Sequence, residues 1–215
     1  MGGNALFRFD EELKSEFSPS KNNFCLVGID EAGRGPLAGP VVACAVALPA
    51  GFFDERLDDS KKLDPATRAY LYKKIKAKAA WGISVGQVSL IDSVNILSAT
   101  HRCMHAALRN LLAWNPHIQP DLVAVDGRTI PPSGLRQVSI VKGDTLSASI
   151  AAASVMAKVF RDRIMRTLST RFPGYGFARH KGYGTAAHQE RIAVLGPSPV
   201  HRKSFAPVRF MLDEN

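Results

Sequence analysis

The chain has 215 residues, of which 46% are hydrophobic and 22% are charged; these values exclude a wholly disordered chain and suit one substantial domain. Its longest strongly apolar run, residues 41–48, is far too short to span a bilayer, so we expect no membrane partner. Three widely spaced cysteines argue against a disulfide framework, and with no secretory signal pattern they predict a cytoplasmic protein.

Charge is distributed unevenly along the chain. Lysine and arginine number 28 against 19 aspartate and glutamate residues, and the resulting net charge of +9 predicts a polyanionic partner. Residues 1–60 carry a net charge of −5, whereas 61–157 and 158–215 each carry +7. The densest basic stretch, 158–203, also contains several aromatic residues and glycines. This mixture suits a groove for a phosphate backbone with a stacking surface, and a solvated helix face followed by a loop is the alternative.

Apolar and polar residues alternate with helical or strand periods along most of the chain. Residues 1–22 are polar and acidic and are predicted to form an N-terminal tail, frayed or helical. In chain order, the pattern then predicts strands at 24–29 and 41–48, a helix at 64–80, a strand at 81–88, a helix at 95–114, strands at 122–125 and 138–141, and helices at 145–168 and 185–195. With no internal repeat or interior linker, we expect one α/β domain over 23–215, with a helical C-terminal segment from about 184 to 215.

Carboxylates follow three of the predicted strands. Asp30 and Glu31 come directly after the first strand, Asp126 after the fourth, and Asp144 shortly after the fifth. Because open sheets gather their sites where strand ends meet a crevice, we expect these carboxylates to share one pocket. Packed anions repel one another, and oxygen ligands favour hard cations, so the pattern predicts Mg²⁺ or Mn²⁺ there. Two such ions can activate water and stabilise the leaving oxygen in phosphodiester cleavage.

Each carboxylate also has a structural alternative. Asp144 suits the N-cap of the helix that follows it, and Asp126 suits a turn before a glycine. Neighbours in a regular strand point to opposite faces of the sheet, so Asp30 and Glu31 share a site only if the strand ends or bends there. Asp162 is a rival ligand for the fourth position, but basic residues four positions away on its helix favour an ion pair.

Two other classes of protein fit parts of the sequence. The stretch GRGPLA at 33–38 has the form of a dinucleotide-binding glycine loop, but a strand is predicted after it where that fold requires a helix. A non-catalytic nucleic-acid-binding module explains the basic surface, yet it leaves the carboxylates at the strand ends unexplained.

Seven short motifs follow one another along the chain. They are GIDEAGRGPLAGP at 28–40, DSK at 59–61, VDG at 125–127, KGD at 142–144, AASVMAKVFRD at 152–162, HKGY at 180–183 and HRKSF at 201–205. In identity and order this series resembles the ribonuclease HII family over roughly residues 24–207. The first motif is the most specific of them.

The resemblance implies an α/β ribonuclease H-like fold, with a central mixed β-sheet flanked by helices and a helical C-terminal extension. It implies an endoribonuclease that cleaves the RNA strand of RNA–DNA hybrids and cuts 5′ of ribonucleotides embedded in duplex DNA, leaving a 3′-hydroxyl and a 5′-phosphate. The implied mechanism uses two ions, Mg²⁺ or Mn²⁺, and the implied process is ribonucleotide excision repair; we expect a monomer. The family's catalytic metal ligands fall on Asp30, Glu31, Asp126 and Asp144.

The resemblance also assigns residues that contact substrate. The family's Gly-Arg-Gly element, associated with reading the 2′-hydroxyl, falls on Gly33, Arg34 and Gly35. Its tyrosine that stacks on the sugar at the RNA–DNA junction falls on Tyr183, and its phosphate-contacting pair falls on Ser60 and Lys61. The chemistry agrees, because glycines let the backbone approach a sugar and arginine adds fixed donors. A turn residue at position 34 and a loop anchor at position 183 are the alternatives.

Overall fold

The described part of the computed structural model, residues 2–18, 23–128, 130 and 134–213, contains one mixed five-stranded sheet. Residues 1 and 19–22 of the predicted N-terminal tail, and 214–215 of the predicted C-terminal segment, lie outside these ranges. The strands are β1 Leu26–Ala32, β2 Val41–Ala47, β3 Ala80–Gly86, β4 Leu122–Asp126 and β5 Gln137–Ile140. Their order is β3-β2-β1-β4-β5, with β1 antiparallel to β2 and parallel to β4. The predicted mixed sheet is thereby confirmed.

Helices cover both faces of this sheet. Within the described ranges they are α1 Gly2–Phe17, α2 Pro65–Lys78, α3 Val88–Val94, α4 Ile96–Trp114, α5 Ala148–Arg171, α6 Phe177–His180, α7 Ala186–Leu195 and α8 Val208–Asp213. Helix α4 packs on β1, β2 and β3, while α5 packs on β1, β2 and β4 and also contacts α1 and α2. None of these helices is long and apolar enough to cross a membrane.

Helix α5 lies unusually close to β1 because of Gly28. A Cβ atom at that position would come within 2.1 Å of the carbonyl carbon of Ser149, so only glycine permits this approach. The first half of α5 is accordingly built from small, fully buried residues, including Ala151, Ala152 and Ala153. The close packing places polar side chains of α5 beside the carboxyl end of β1.

The register of the parallel strands brings the carboxylates to one edge of the sheet. Ile29 pairs with Val125, so Asp30 and Asp126, the next residues on β1 and β4, lie side by side. Asp126 pairs in turn with Ile140 of β5, and a 3₁₀ turn over Gly143–Thr145 carries Asp144 back toward the same edge.

The end of β1 differs from the prediction. The strand was expected to end before Asp30, but its pairing with β2 continues through Glu31 to Ala32, which lies opposite Val42. The predicted end is wrong because the main-chain hydrogen bonds between strands do not depend on the type of side chain. The carboxylate of Asp30 also finds a local partner, since it accepts a hydrogen bond from the amide of Glu31. Asp30 and Glu31 therefore point to opposite faces of the sheet, yet both line the cleft that opens at its edge, because the strand ends one residue later, at Ala32.

The start of α5 also differs from the prediction. A helix was expected from residue 145, with Asp144 suiting its N-cap, but the helix begins at Ala148 and its N-cap is Ser147. The Ser147 hydroxyl accepts a hydrogen bond from the amide of Ile150 at 3.3 Å. Because a serine performs the capping, Asp144 is left for another role.

Helix α1 is anchored to the domain. Leu6 and Leu13 are buried, and Asp10 accepts hydrogen bonds from the hydroxyls of Ser147 at 2.6 Å and Ser149 at 2.8 Å. Of the two forms predicted for the N-terminal tail, the described part takes the helical one.

The C-terminal segment folds over the Gly/Pro-rich turn between β1 and β2. Leu37 and Ala38 of that turn pack with apolar residues from α5, α6, α7 and α8. The amide of Leu37 donates to the carbonyl of Gly182, and that of Gly39 donates to the carbonyl of Val200, each at 2.8 Å. The turn is therefore held from outside the sheet.

Candidate active site

A cleft of about 450 Å³ opens at the carboxyl ends of β1 and β4. We call it the acidic cleft; its lining includes Asp30, Glu31, Asp126, Lys61 and Tyr183. Three carboxylates, a lysine and an aromatic ring thus meet at one opening, although they come from positions far apart in the sequence.

Asp30 is the most buried of the carboxylates in this cleft, with 3% of its surface exposed. It is held by the amide of Glu31, which donates to its Oδ1 at 2.7 Å, and by the hydroxyl of Ser154. Burial, and then the charges of Glu31 and Asp126, raise the pKa of Asp30 well above its ordinary value. An ionised Asp30 therefore calls for a compensating positive charge nearby.

Glu31 lies against the guanidinium of Arg34. Arg34 Nη1 is 3.4 Å from Glu31 Oε1, a distance that makes a loose ion pair. Burial raises the pKa of Glu31; the charge of Arg34 opposes this shift, whereas the charge of Asp126 adds to it. Arg34 is itself more than half exposed, so its remaining donors face the solvent at the mouth of the cleft.

Asp126 and Asp144 are held in different ways. Asp126 Oδ1 accepts from the amide of Gly143 at 2.7 Å, and burial raises its pKa while that hydrogen bond lowers it. Asp144 is buried and accepts from Lys61 Nζ at 3.0 Å, while the same ammonium lies 3.8 Å from Asp59. Burial disfavours the charged lysine, but the contact with Asp144 and the neighbouring carboxylates outweigh it and raise the pKa of Lys61.

The donor chemistry of this cleft fits a hard divalent cation. Among the described residues no three histidine, cysteine, aspartate or glutamate side chains form a complete ligand set around one point. The oxygen donors are nevertheless those that Mg²⁺ and Mn²⁺ prefer, and Asp30, Glu31 and Asp126 all have raised pKa values. Crowded carboxylates that are destabilised by their own charge are relieved by bound cations.

The turn after β1 lies beside the exposed ring of Tyr183. Gly33 has a φ of +97°, and a Cβ atom there would collide with the side chain of Arg161, so the position requires glycine. A Cβ atom at Gly35 would meet nothing nearer than a ring carbon of Tyr183 at 3.9 Å. The turn and the ring thus form one wall of the acidic cleft.

The predicted Ser60–Lys61 pair is divided between two tasks. The Ser60 hydroxyl is buried and bonds the hydroxyl of Ser154 at 2.9 Å, so it supports the residue that holds Asp30. Lys61 reaches into the cleft, where Asp144 holds it. Sequence reasoning missed the role of Ser154, although it is the one polar residue in the small, apolar first turns of α5 after Ser149.

The structure also bears on two of the alternatives. Asp162 forms an ion pair with Lys158 at 2.8 Å, so the expected ion-pair role is confirmed. The glycine loop at 33–38 leads into strand β2 and not into a helix, which excludes the dinucleotide-binding arrangement.

A mixed sheet with carboxylates at the ends of its central strands, flanked by a basic helix, defines a metal-dependent phosphodiester hydrolase. A sequence model of the ribonuclease HII family matches residues 27–208. The ribonuclease HII of Geotalea uraniireducens strain Rf4 is 52% identical over 186 residues, which cover 86% of this chain and 84% of that protein.

Two solved structures share the fold. The ribonuclease H2 of Pyrococcus horikoshii OT3 matches with a TM-score of 0.70 and 23% identity, over 89% of this chain and 98% of that chain. The RNase HII of Archaeoglobus fulgidus, solved as a complex with PCNA, matches with a TM-score of 0.68 and 26% identity, over 85% and 95% of the two chains.

The chain therefore belongs to the ribonuclease HII family. It is a metal-dependent endonuclease that hydrolyses phosphodiester bonds, and it acts on the RNA strand of RNA–DNA hybrids. The resemblance that was drawn from the motifs, and the ribonuclease H-like fold that it implied, are both confirmed.

Proposed function

We propose that this enzyme also cuts DNA duplexes 5′ of single embedded ribonucleotides, leaving a 3′-hydroxyl and a 5′-phosphate. The observation that carries the proposal is the wall formed by the Gly-Arg-Gly turn and Tyr183 at the edge of the acidic cleft. Because this wall lies beside the carboxylates, it can contact the sugar of a single nucleotide next to the cleaved bond. An enzyme that recognises only the shape of the hybrid helix needs a longer stretch of RNA.

The turn has the groups that a 2′-hydroxyl requires. Within the described residues, the amides of Arg34 and Gly35 donate no hydrogen bond, so both are available to a ligand. Tyr183 is 44% exposed, and its ring can pack flat on the neighbouring deoxyribose, where an added hydroxyl would crowd it. Donors on one side and a flat ring on the other select a junction from ribose to deoxyribose.

Asp30, Glu31, Asp126 and Asp144 would hold the divalent cations, two during catalysis, with Mg²⁺ or Mn²⁺ as the candidates. When bound, such ions supply an activated water and charge stabilisation for the leaving 3′-oxygen. The chain's own groups orient these carboxylates: Ser154 holds Asp30, the amide of Gly143 holds Asp126, and Lys61 holds Asp144. Lys61 also lines the cleft, where its ammonium can contact a scissile phosphate.

The duplex would be held by basic residues outside the carboxylates. Three exposed arginines lie on the second half of α5 and on α6, in the same basic stretch of the sequence as Tyr183: Arg163, Arg166 and Arg179. Their charge is independent of sequence readout and makes binding sensitive to salt. Because incision at a ribonucleotide begins its removal, we place the protein, as a cytoplasmic monomer, in ribonucleotide excision repair.

The test is cleavage of an end-labelled DNA duplex with one central ribonucleotide, with Mg²⁺, with Mn²⁺ and with chelator. We expect one metal-dependent product that ends in a 3′-hydroxyl on the 5′ side of the ribonucleotide, and no cutting of the all-deoxy duplex. Asp126→Asn should abolish cleavage while duplex binding persists, and Asp64→Asn, the same change at the N-cap of α2, should leave cleavage intact. Cleavage by Asp126→Asn at the wild-type rate would refute the assignment of this carboxylate.

Arg34→Ala tests the recognition of the ribonucleotide separately from the carboxylates that carry out cleavage. We expect this variant to lose discrimination between ribonucleotide and deoxyribonucleotide duplexes, because both its guanidinium and its link to Glu31 disappear. Unchanged selectivity, measured in chelator as the ratio of the dissociation constants for the two duplexes, would remove Arg34 from the proposal.

A further inference from the structure

Two arginines lie buried behind the Gly-Arg-Gly turn. Arg202 is 0% exposed and Arg161 is 1% exposed, although they belong to the most basic stretch of the chain. Neither has a carboxylate within ion-pair distance among the described residues. Burial, and then the charge of Arg161, lower the pKa of Arg202 to about 9, which still leaves it protonated at neutral pH.

The guanidinium of Arg202 donates hydrogen bonds to main-chain carbonyls of the turn. Its Nη1 donates to the carbonyl of Arg34 at 2.7 Å, its Nη2 donates to the carbonyl of Gly33, and its Nε donates to the carbonyl of Gly39 at 3.0 Å. Its own amide donates to the carbonyl of Leu37 at 2.8 Å. One residue of the C-terminal segment therefore grips both ends of the turn.

Arg161, on α5, grips the remainder of the turn. Its Nε donates to the carbonyl of Pro40 at 2.9 Å, and its Nη2 donates to that of Ala38 at 3.1 Å. Its Nη1 donates to the carbonyl of Lys181 at 3.0 Å, two residues before Tyr183. The same guanidinium thus links the turn to the loop that carries the aromatic ring.

These contacts determine where the amides of the turn point. In a trans peptide the carbonyl and the following N–H lie on opposite sides of the unit. Because the carbonyls of Gly33 and Arg34 face the buried guanidinium of Arg202, the amides of Arg34 and Gly35 face away from it, toward the acidic cleft. Neither of these two amides donates to an acceptor within the described part of the chain.

Stability alone is a poor reason for this arrangement. Two charges without carboxylate partners are costly to bury, and apolar side chains of similar size commonly serve a core as well or better. What a guanidinium provides is a rigid fork of donors that sets the positions of several carbonyls at once.

We propose that Arg202 and Arg161 are positioning residues for substrate discrimination: they turn the amides of Arg34 and Gly35 toward the 2′-hydroxyl of the substrate. The inference rests on the proposed reading of a single ribonucleotide. Neither arginine touches substrate, and each acts through the turn that it holds.

The test measures duplex binding in chelator, so that no strand is cut. Dissociation constants are determined for two duplexes of one sequence, all-deoxy or with a single ribonucleotide, and their ratio is the selectivity. Arg202→Lys keeps the charge but loses the fork, and we expect selectivity to fall roughly tenfold, about the worth of one hydrogen bond. The affinity for the all-deoxy duplex should stay unchanged. Arg191→Lys is the matched control, since Arg191 donates to the carbonyl of Gly174 outside the turn, and it should keep the wild-type ratio.

The outcomes separate this inference from the function on which it rests. If the wild type binds both duplexes equally, the reading of the ribonucleotide fails and the inference fails with it. If the wild type is selective and a folded Arg202→Lys keeps the wild-type ratio, the positioning role alone is refuted. An equal loss of affinity for both duplexes indicates a structural role only and also refutes it. Should Arg202→Lys fail to fold, Arg161→Lys is judged by the same ratio.

Discussion

Replacing Asp30 by asparagine should stabilise the metal-free protein while it destroys activity. Asparagine keeps the shape of the side chain and an oxygen that can accept from the Glu31 amide, now at 2.7 Å. It removes a negative charge that is 3% exposed and faces Glu31 and Asp126. Without cations this charge opposes folding, because desolvation and like charges both disfavour its ionised form.

The expected gain follows from the burial and from the pH. Removing one uncompensated buried charge is worth about 2 kcal/mol, and in a domain of this size each kcal/mol moves Tm by about 2–4 °C, so Tm should rise by about 4–8 °C at neutral pH. The folded-state pKa of Asp30 lies above its unfolded value, so the contribution of Asp30 to stability is greatest at low pH and is lost as the pH rises through the folded pKa. The Tm difference between variant and wild type should therefore be close to zero at about pH 4 and grow toward neutral pH.

Thermal unfolding in EDTA, followed by circular dichroism across this pH range, checks the prediction. Asp54→Asn is the matched control with the opposite sign, because Asp54 is buried but accepts from Arg56 and Lys74, each at 2.8 Å, and its pKa is lowered. The control should lose stability at neutral pH. An Asp30→Asn variant that melts below the wild type at neutral pH, or a Tm difference that does not change with pH, would refute the reasoning.

Three further predictions concern the cleft and the duplex. Lys61→Met should lower kcat by about tenfold or more, because Asp144 loses its charged partner. The control Lys62→Met removes only an exposed ion pair with Asp58 and should leave kcat unchanged. Steady-state cleavage with Mg²⁺ compares the two variants. Tyr183→Ala should reduce kcat/KM for a single embedded ribonucleotide by roughly tenfold, while Tyr183→Phe keeps the ring and stays near the wild type; equal losses would argue against stacking. Binding should weaken with salt, and Arg166→Ala should reduce the slope of log Kd against log salt by about one; an unchanged slope would place Arg166 outside the phosphate contacts.

Much of the framework was predictable from local pattern. Apolar runs located the strands, and the carboxylates that follow them identified the edge of the sheet at which Asp30, Asp126 and Asp144 come together. The helix signals at Asp64 and Pro65 were also sufficient, since Asp64 accepts from the amides of Ala66 and Thr67 as an N-cap should. Such features depend on near neighbours in the sequence.

The contacts that organise the cleft were not predictable in this way. Lys61 and Asp144 are 83 residues apart in the sequence, and no periodic pattern of residues predicts their contact. The basic half of α5 has the pattern of a solvated face, which describes Arg166 well, yet Arg161 of the same stretch is buried. Its burial depends on carbonyls supplied by the turn before β2, and those become visible only when the chain is folded.

Helix α5 fixes the distance between the residue that holds Asp30 and the residue that holds the turn after β1. Ser154, which holds Asp30, and Arg161, which holds the turn, are seven residues apart on it, and so lie about two helical turns, or ~10 Å, from each other on the same face. One residue inserted between them would rotate one position by about 100° relative to the other and disconnect them. In the proposed reading of a single ribonucleotide, this helix sets the spacing between the carboxylate at the cut bond and the turn that reads the sugar. The close contact at Gly28 fixes the first turns of the helix against the sheet. Changes of loop length outside this helix leave the distance between Ser154 and Arg161 unchanged.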